Sequence, residues 1–275
     1  MLIATQGVLY SIGVTIMYST IISMLNEWFV ARRGLALGIV TAATGVSGIG
    51  MPFVLGTLLD TYGYPTILRA FALAVVVLTG PVLPILKERL PVTRSSARAK
   101  MDTFFLQKPL FYLFAALVLL QGLGYFYPTL YLSSYATSLS YTPTTGALLL
   151  ALFYFSQIFG QTLIGYLSDN RVSVETLADF APAVSAITIL TLWGLAHPLP
   201  PLIILSLVYK FFGGGYIVLW GKMGMEVSSD PAGQLVTFGI FAFLYGVGNV
   251  ITGPASASLV VEGVKRGGYG LGRYR

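Results

Sequence analysis

The residues of this chain that could do chemistry are few, and most stand inside apolar runs. Lys210 sits in Leu-Val-Tyr-Lys-Phe-Phe with no acidic residue within four positions. An amine so placed can attract an anionic group such as a carboxylate, or it can snorkel to an interface. Gln157 and Gln161 are four residues apart, as are Gln121 and Tyr125, so each pair shares one helix face. Amides there can hydrogen-bond a solute or tie two helices together. Tyr125, beside Phe126 and Tyr127, suits either a cavity wall or an interfacial anchor. Arg32, Arg33 and Asp169 lie between apolar runs, where charge fixes topology; for Asp169 a helix cap is the reading of the residue itself.

Such groups need elements to hold them, and the composition allows one kind. Of 275 residues 56% are hydrophobic and 9% charged, with a mean hydropathy of +0.80. A soluble domain carries about 25% charged residues, so the bilayer must be the solvent. Eight runs are long enough to cross it, at about 2–25, 34–58, 66–86, 109–135, 146–167, 178–196, 201–221 and 235–261. Lipid offers backbone amides no other partner, so the fold class is an all-α polytopic membrane protein. The first run has no basic stretch before it and no small-residue cleavage site, and reads as a span, not a removed signal.

Alternate loops differ in charge. One side holds Arg32, Arg33, Lys87, Arg89, Arg94, Arg98, Lys100, Lys108, Arg171 and Lys222, while the loops at 59–65, 136–145 and 197–200 hold no lysine or arginine. The first side is therefore cytoplasmic. The basic tail with Lys265, Arg266, Arg273 and Arg275 falls on the outer side, against this rule. The stretch 87–108, with Arg-Ser-Ser-Ala-Arg-Ala-Lys and no apolar period, is a flexible linker dividing three spans (1–86) from five (109–275).

Several functions are excluded or disfavoured. The formal net charge is +6, but it is scattered in short runs between spans, so no nucleic-acid partner is expected. Without cysteine there is no thiol chemistry or disulfide. No Walker motif and no His-Glu-x-x-His occur, the one histidine, His197, lies in an outer loop, and no span centre holds a carboxylate. No catalytic residue, metal or cofactor is expected. The glycines have another use. Gly34, Gly38, Gly45, Gly48 and Gly56, and later Gly246, Gly248 and Gly253, form small-residue faces that let a neighbouring helix come close, and Gly213-Gly214-Gly215 is read as packing, not a phosphate loop. Trp220 is expected in an interfacial belt near the cytoplasmic surface.

Four stretches together resemble one family. They are Trp28-Phe29 with Arg32-Arg33-Gly34-Leu35-Ala36 and the glycine-rich helix after it; Phe126-Tyr127-Pro128 leading to Leu132-Ser133-Ser134-Tyr135; Gly165-Tyr166-Leu167-Ser168-Asp169; and Gly213-Gly214-Gly215-Tyr216-Ile217-Val218-Leu219-Trp220. In this order they resemble the major facilitator superfamily, in its fungal monocarboxylate transporter-like branch. The resemblance implies twelve helices in two six-helix halves, of which this chain holds the fourth to the eleventh; the chain is then expected to be a fragment. It implies a secondary active transporter moving a small organic solute, a monocarboxylate by class, through alternating access, with protons as the coupling ion of a symport. Substrate contacts fall on Lys210, Gln157, Gln161, Tyr125 and Gln121, and gating on Arg32, Arg33 and Asp169. Animal members hold an acidic residue and an arginine where this chain has Gln157 and Gln161, which leaves proton coupling and carboxylate binding without their usual groups. The partners implied are the lipid bilayer and the solute, in the plasma membrane sooner than a vacuolar one. The alternative is a truncated membrane paralogue with a structural role or none.

Overall fold

The computed structural model describes residues 7–29, 31–85, 104–193 and 198–259. Most of the stretch 87–108, His197 and the tail charges Lys265, Arg266, Arg273 and Arg275 lie outside the described residues. The described chain is helical throughout its spans and contains no strand. In order the helices are α1 (Tyr10–Trp28), α2 (Arg33–Tyr62), α3 (Tyr64–Thr79), α4 (Pro109–Ser138), α5 (Pro143–Asn170), α6 (Val174–Thr188), α7 (Leu199–Tyr216), α8 (Leu219–Val227) and α9 (Pro231–Leu259). Among the described residues seven helical stretches are long and apolar enough to cross a membrane. The protein is an integral, multi-pass membrane protein.

Two runs fold differently from expectation. The one at 66–86 becomes the 16-residue α3 followed by a turn and a short 3-10 turn at Leu83–Ile85. Pro81 and Pro84 carry no amide hydrogen to continue an α-helical ladder. The run at 201–221 reaches to Val227 but breaks after Tyr216, resuming as α8. This break turns Trp220 inward. Its ring lies edge-on to Tyr245 at 5.0 Å and is 4% exposed, so it is a core residue and not the expected belt anchor.

Helix α2 lies along α5 through its small residues. A Cβ added at Gly38 would stand 2.5 Å from the Gln161 carbonyl oxygen, and one at Gly34 equally close to that of Gly165. No side chain fits where backbone meets backbone. Helix α9 meets α4 in the same way, with Gly122 and Gly248 facing each other, while Thr252 donates to the Leu123 carbonyl at 2.8 Å. The triple glycine packs as expected, Gly215 against the Gly160 carbonyl and Gly214 against Gln157. Gly50, Gly246 and Gly253 face open space instead. Gly63, with φ of +72°, makes the left-handed link from α2 to α3 that a Cβ would strain.

Helix α4 carries Pro128, which cannot donate to the Gly124 carbonyl one turn back. The Tyr209 hydroxyl of α7 supplies that bond at 3.2 Å. The repair fixes α4 against α7 beside Lys210.

Candidate solute cavity and helix clamp

A cavity of about 280 Å³ opens between α1, α2, α4, α5, α7 and α9. Tyr18, Thr41, Thr44, Tyr125, Tyr154, Gln157, Gln161, Lys210 and Tyr245 line it. Gln157 lies twelve residues before Asp169 on α5, about 18 Å along the axis at 1.5 Å per residue. In a hydrocarbon core of about 30 Å the cavity is therefore mid-span.

Lys210 is 1% exposed, and its ammonium sits among rings: 3.7 Å from the Tyr125 centroid, 4.7 Å from Phe153 and 5.6 Å from Tyr154. No carboxylate lines the cavity. Among the described residues Nζ has no ion pair and no hydrogen bond. Ring faces return about 2 kcal/mol to a desolvated cation, and a lysine at a helix centre costs about 2.5–3.5 kcal/mol. The rings do not close that gap, so a bound anion would gain from filling it. Snorkelling, the other reading of Lys210, does not describe a side chain that is 1% exposed and set among rings of α4 and α5.

Gln157 bridges α5 to α2, donating from Nε2 to the Thr44 hydroxyl at 3.0 Å. Thr44 gives its own proton to the Thr41 carbonyl at 2.7 Å, so the amide must present its NH2 group there and its oxygen elsewhere. That Oε1 is buried with no partner, and so is Oε1 of Gln161. Each orphaned acceptor costs about 1–3 kcal/mol.

Tyr125, Gln157, Gln161 and Lys210 thus meet at one cavity, whereas Gln121 stands apart. Its Nε2 donates to the Gly213 carbonyl at 2.7 Å, and it borders a second, larger hollow of about 430 Å³ between α4, α6 and α7, with Asp179 and Ser185. Tyr125 borders both. Sequence reasoning missed Thr44, Tyr154, Tyr245 and Tyr18. Thr41 and Thr44, one turn apart among the glycines of α2, were the available signal.

At the far end of α5, Asp169 caps α2. Its Oδ1 accepts from the Gly34 amide at 2.8 Å and its Oδ2 from the Leu35 amide at 2.9 Å, where the N-terminal helix dipole favours negative charge. Lys222 of α8 pairs with Oδ1 at 2.7 Å. The side chains of Arg32 and Arg33 take no part. Arg33 donates from Nε to the Phe29 carbonyl at 3.1 Å and rests its guanidinium on the Met225 sulfur, while Arg32, exposed, precedes the first turn of α2. Lys222, read from sequence only as a topology charge, is the clamp's cation.

These helices and their glycine contacts define a class, a bundle of apolar spans around a polar mid-membrane cavity. The chain belongs to the Major Facilitator Superfamily, whose family model matches residues 2–178. It is 23% identical over 92% of its length to MFS-type transporter 1 of Ophiocordyceps sp. (strain BCC 1869), covering 57% of that protein. To the Fujikurins efflux protein of Gibberella fujikuroi it is 26% identical over 82% of its length, covering 49% of that protein. To Monocarboxylate transporter 12-B of Danio rerio it is 28% identical over 94% of its length, covering 61% of that protein. The chain spans about half to three fifths of these curated relatives.

Proposed function

We propose that the chain carries the solute pathway of a secondary transporter that moves a small organic anion, a carboxylate, across the membrane by alternating access. The observation that carries this is the buried Lys210, enclosed by rings at mid-span with no carboxylate to answer it, in a cavity built jointly by helices from either side of the 87–108 stretch. On this reading residues 1–86 belong to one half, 109–275 to the other, and 87–108 link them in the cytoplasm. Lys210 takes the carboxylate, and Gln157, Gln161 and Tyr125 shape the site. Gln121 acts one layer behind, holding α4 to α7. Asp169, Lys222 and the Arg32–Arg33 turn close the cytoplasmic end, and release there lets the halves rock about the central site. Relatives named as transporters, one of them a monocarboxylate transporter, agree with this reading. The plasma membrane is the location proposed.

Uptake of labelled lactate, pyruvate and larger carboxylates into cells lacking their own carriers tests it. Carboxylate uptake that falls to background in Lys210→Ala is the expected result; uptake unchanged in that variant would sink the assignment. The same cells test symport. Faster uptake under an inward proton gradient marks proton coupling, and a flat response marks a carrier that moves the anion alone, as Gln157 and Gln161 in place of ionisable groups would suggest.

A further inference from the structure

We infer that the solute is a hydroxylated aromatic acid, a flat ring bearing a carboxylate and phenolic hydroxyls, and not a short aliphatic acid. This rests on reading the cavity as the solute site. Three residues of its lining carry a polar group without a partner, and these groups differ in kind. Lys210 Nζ is a donor that asks for an anion, whereas Gln157 Oε1 and Gln161 Oε1 are acceptors that ask for hydrogen. A bare carboxylate has no proton to give. It would satisfy Lys210 and leave both amide oxygens orphaned.

The lining tyrosines carry donor hydroxyls, but none of them reaches either amide oxygen, so the open place is for a donor on the solute, and the surroundings select its chemistry. An ammonium group would place a second positive charge beside Lys210 in a cavity whose described lining has no carboxylate. A hydroxyl donates without that charge. Gln157 and Gln161 are neighbours on one face of α5, with Cβ atoms about 5–6 Å apart, a span that adjacent ring hydroxyls can serve together. The walls agree. Tyr125, Tyr154 and Tyr245 offer ring faces and edges to a planar guest, and such contacts favour aromatic over aliphatic bodies. The volume, about 280 Å³, is close to the lower bound of about 300 Å³ for ligand pockets, in keeping with a single-ring guest.

The test is equilibrium binding to the purified 275-residue chain in lipid nanodiscs, with labelled 3,4-dihydroxybenzoate displaced by unlabelled 3,4-dihydroxybenzoate, benzoate and lactate. The dihydroxy acid is expected to bind about tenfold tighter than benzoate, the effect of two ordinary hydrogen bonds, and about a hundredfold tighter than lactate. In Gln157→Leu and in Gln161→Leu the ratio of dihydroxybenzoate to benzoate affinity falls to about threefold, one hydrogen bond being left, and in the double variant it falls to about one. Should a leucine variant not purify as a monodisperse protein, Gln161→Asn retracts the same oxygen by one carbon and reads the same loss. Equal affinity for benzoate and the dihydroxy acid, or tightest binding by lactate, overturns the aromatic hydroxy acid while leaving Lys210 as a carboxylate site. Binding of no acid at all, or binding indifferent to Lys210→Ala, overturns both.

Discussion

Helix α5 carries two polar sites about 18 Å apart, and they are built on opposite terms. At its end both Asp169 oxygens are satisfied, by the amides of Gly34 and Leu35 and by Lys222. At its middle Gln157 and Gln161 keep buried oxygens without partners, and Lys210 has only ring faces. A low-dielectric interior strengthens a complete network and penalises an incomplete one. The first site therefore holds the bundle in one arrangement, with α2 seated on α5. The second is left incomplete by the chain's own groups, which is what the proposed solute site requires.

The largest change would come from removing the seam that both sites share. Gly38→Val would drive a branched side chain into the Gln161 carbonyl, 2.5 Å from its Cβ. Neither backbone can yield, so a loss at or beyond the upper end of the usual overpacking range, about 3 kcal/mol, is expected. Size-exclusion profiles and thermal midpoints of the purified protein check this. Gly50→Val, facing open space on the same helix, should leave both unchanged within error.

Next in size is Lys210→Ala, which acts on the cavity alone. Hydrogen bonds to charged groups contribute about 1.5–3 kcal/mol, so carboxylate affinity should fall roughly 10- to 100-fold. The thermal midpoint of the empty protein should hold or rise, since a buried unpaired cation is removed. If stability collapsed with affinity, Lys210 would belong with the clamp as a structural group, and the contrast between the two sites would fail.

The clamp predicts a change of state instead of affinity. Asp169→Asn removes the charge opposite Lys222 and one amide acceptor, and is expected to move the balance of closed and open cytoplasmic ends by about 1.5 kcal/mol, near tenfold. Since the sequence has no cysteine, a single Val40→Cys in the cavity wall can report it by maleimide labelling. Labelling from the cytoplasmic side should quicken in Asp169→Asn. Lys222→Ala leaves the α2 amides capped but takes the cation from a largely buried pair, so its effect should be about as large as that of Asp169→Asn.

How far these sites were legible follows from sequence separation. Gln157, Gln161 and Lys210 declared themselves as polar groups in apolar runs, and the four-residue spacing put both amides on one face. The glycine face of α2 was equally plain, because small residues at helical spacing have few other uses in lipid. What a sequence alone does not carry is the pairing of distant elements. Lys222 looked like any loop charge until the break after Tyr216 brought α8 under Asp169. Trp220 looked like a belt residue for the same reason, and Gln121, on the face it shares with Tyr125, turned out to bond Gly213. The span at 66–86 was overextended by hydropathy, which counts the apolar side chains around Pro81 and Pro84 and ignores their missing amide hydrogens.

The smallest expected effect separates the two sites most cleanly. Gln161→Leu keeps the volume of a side chain that is 1% exposed and removes an oxygen with no partner. At a structural site that change would cost stability, as trimming Asp169 should. At a site held open for a solute it should raise stability of the empty protein, by about 0.5–1 kcal/mol, because an orphaned acceptor is replaced by an apolar group of similar shape. Thermal unfolding in the same nanodiscs, with and without dihydroxybenzoate, reads both sides of the trade. The variant should melt higher when empty and gain less from the ligand than the parent does. A lower midpoint when empty would mean that Gln161 already has its partner within the bundle, and the cavity would then hold one unmet acceptor, Gln157, in place of two.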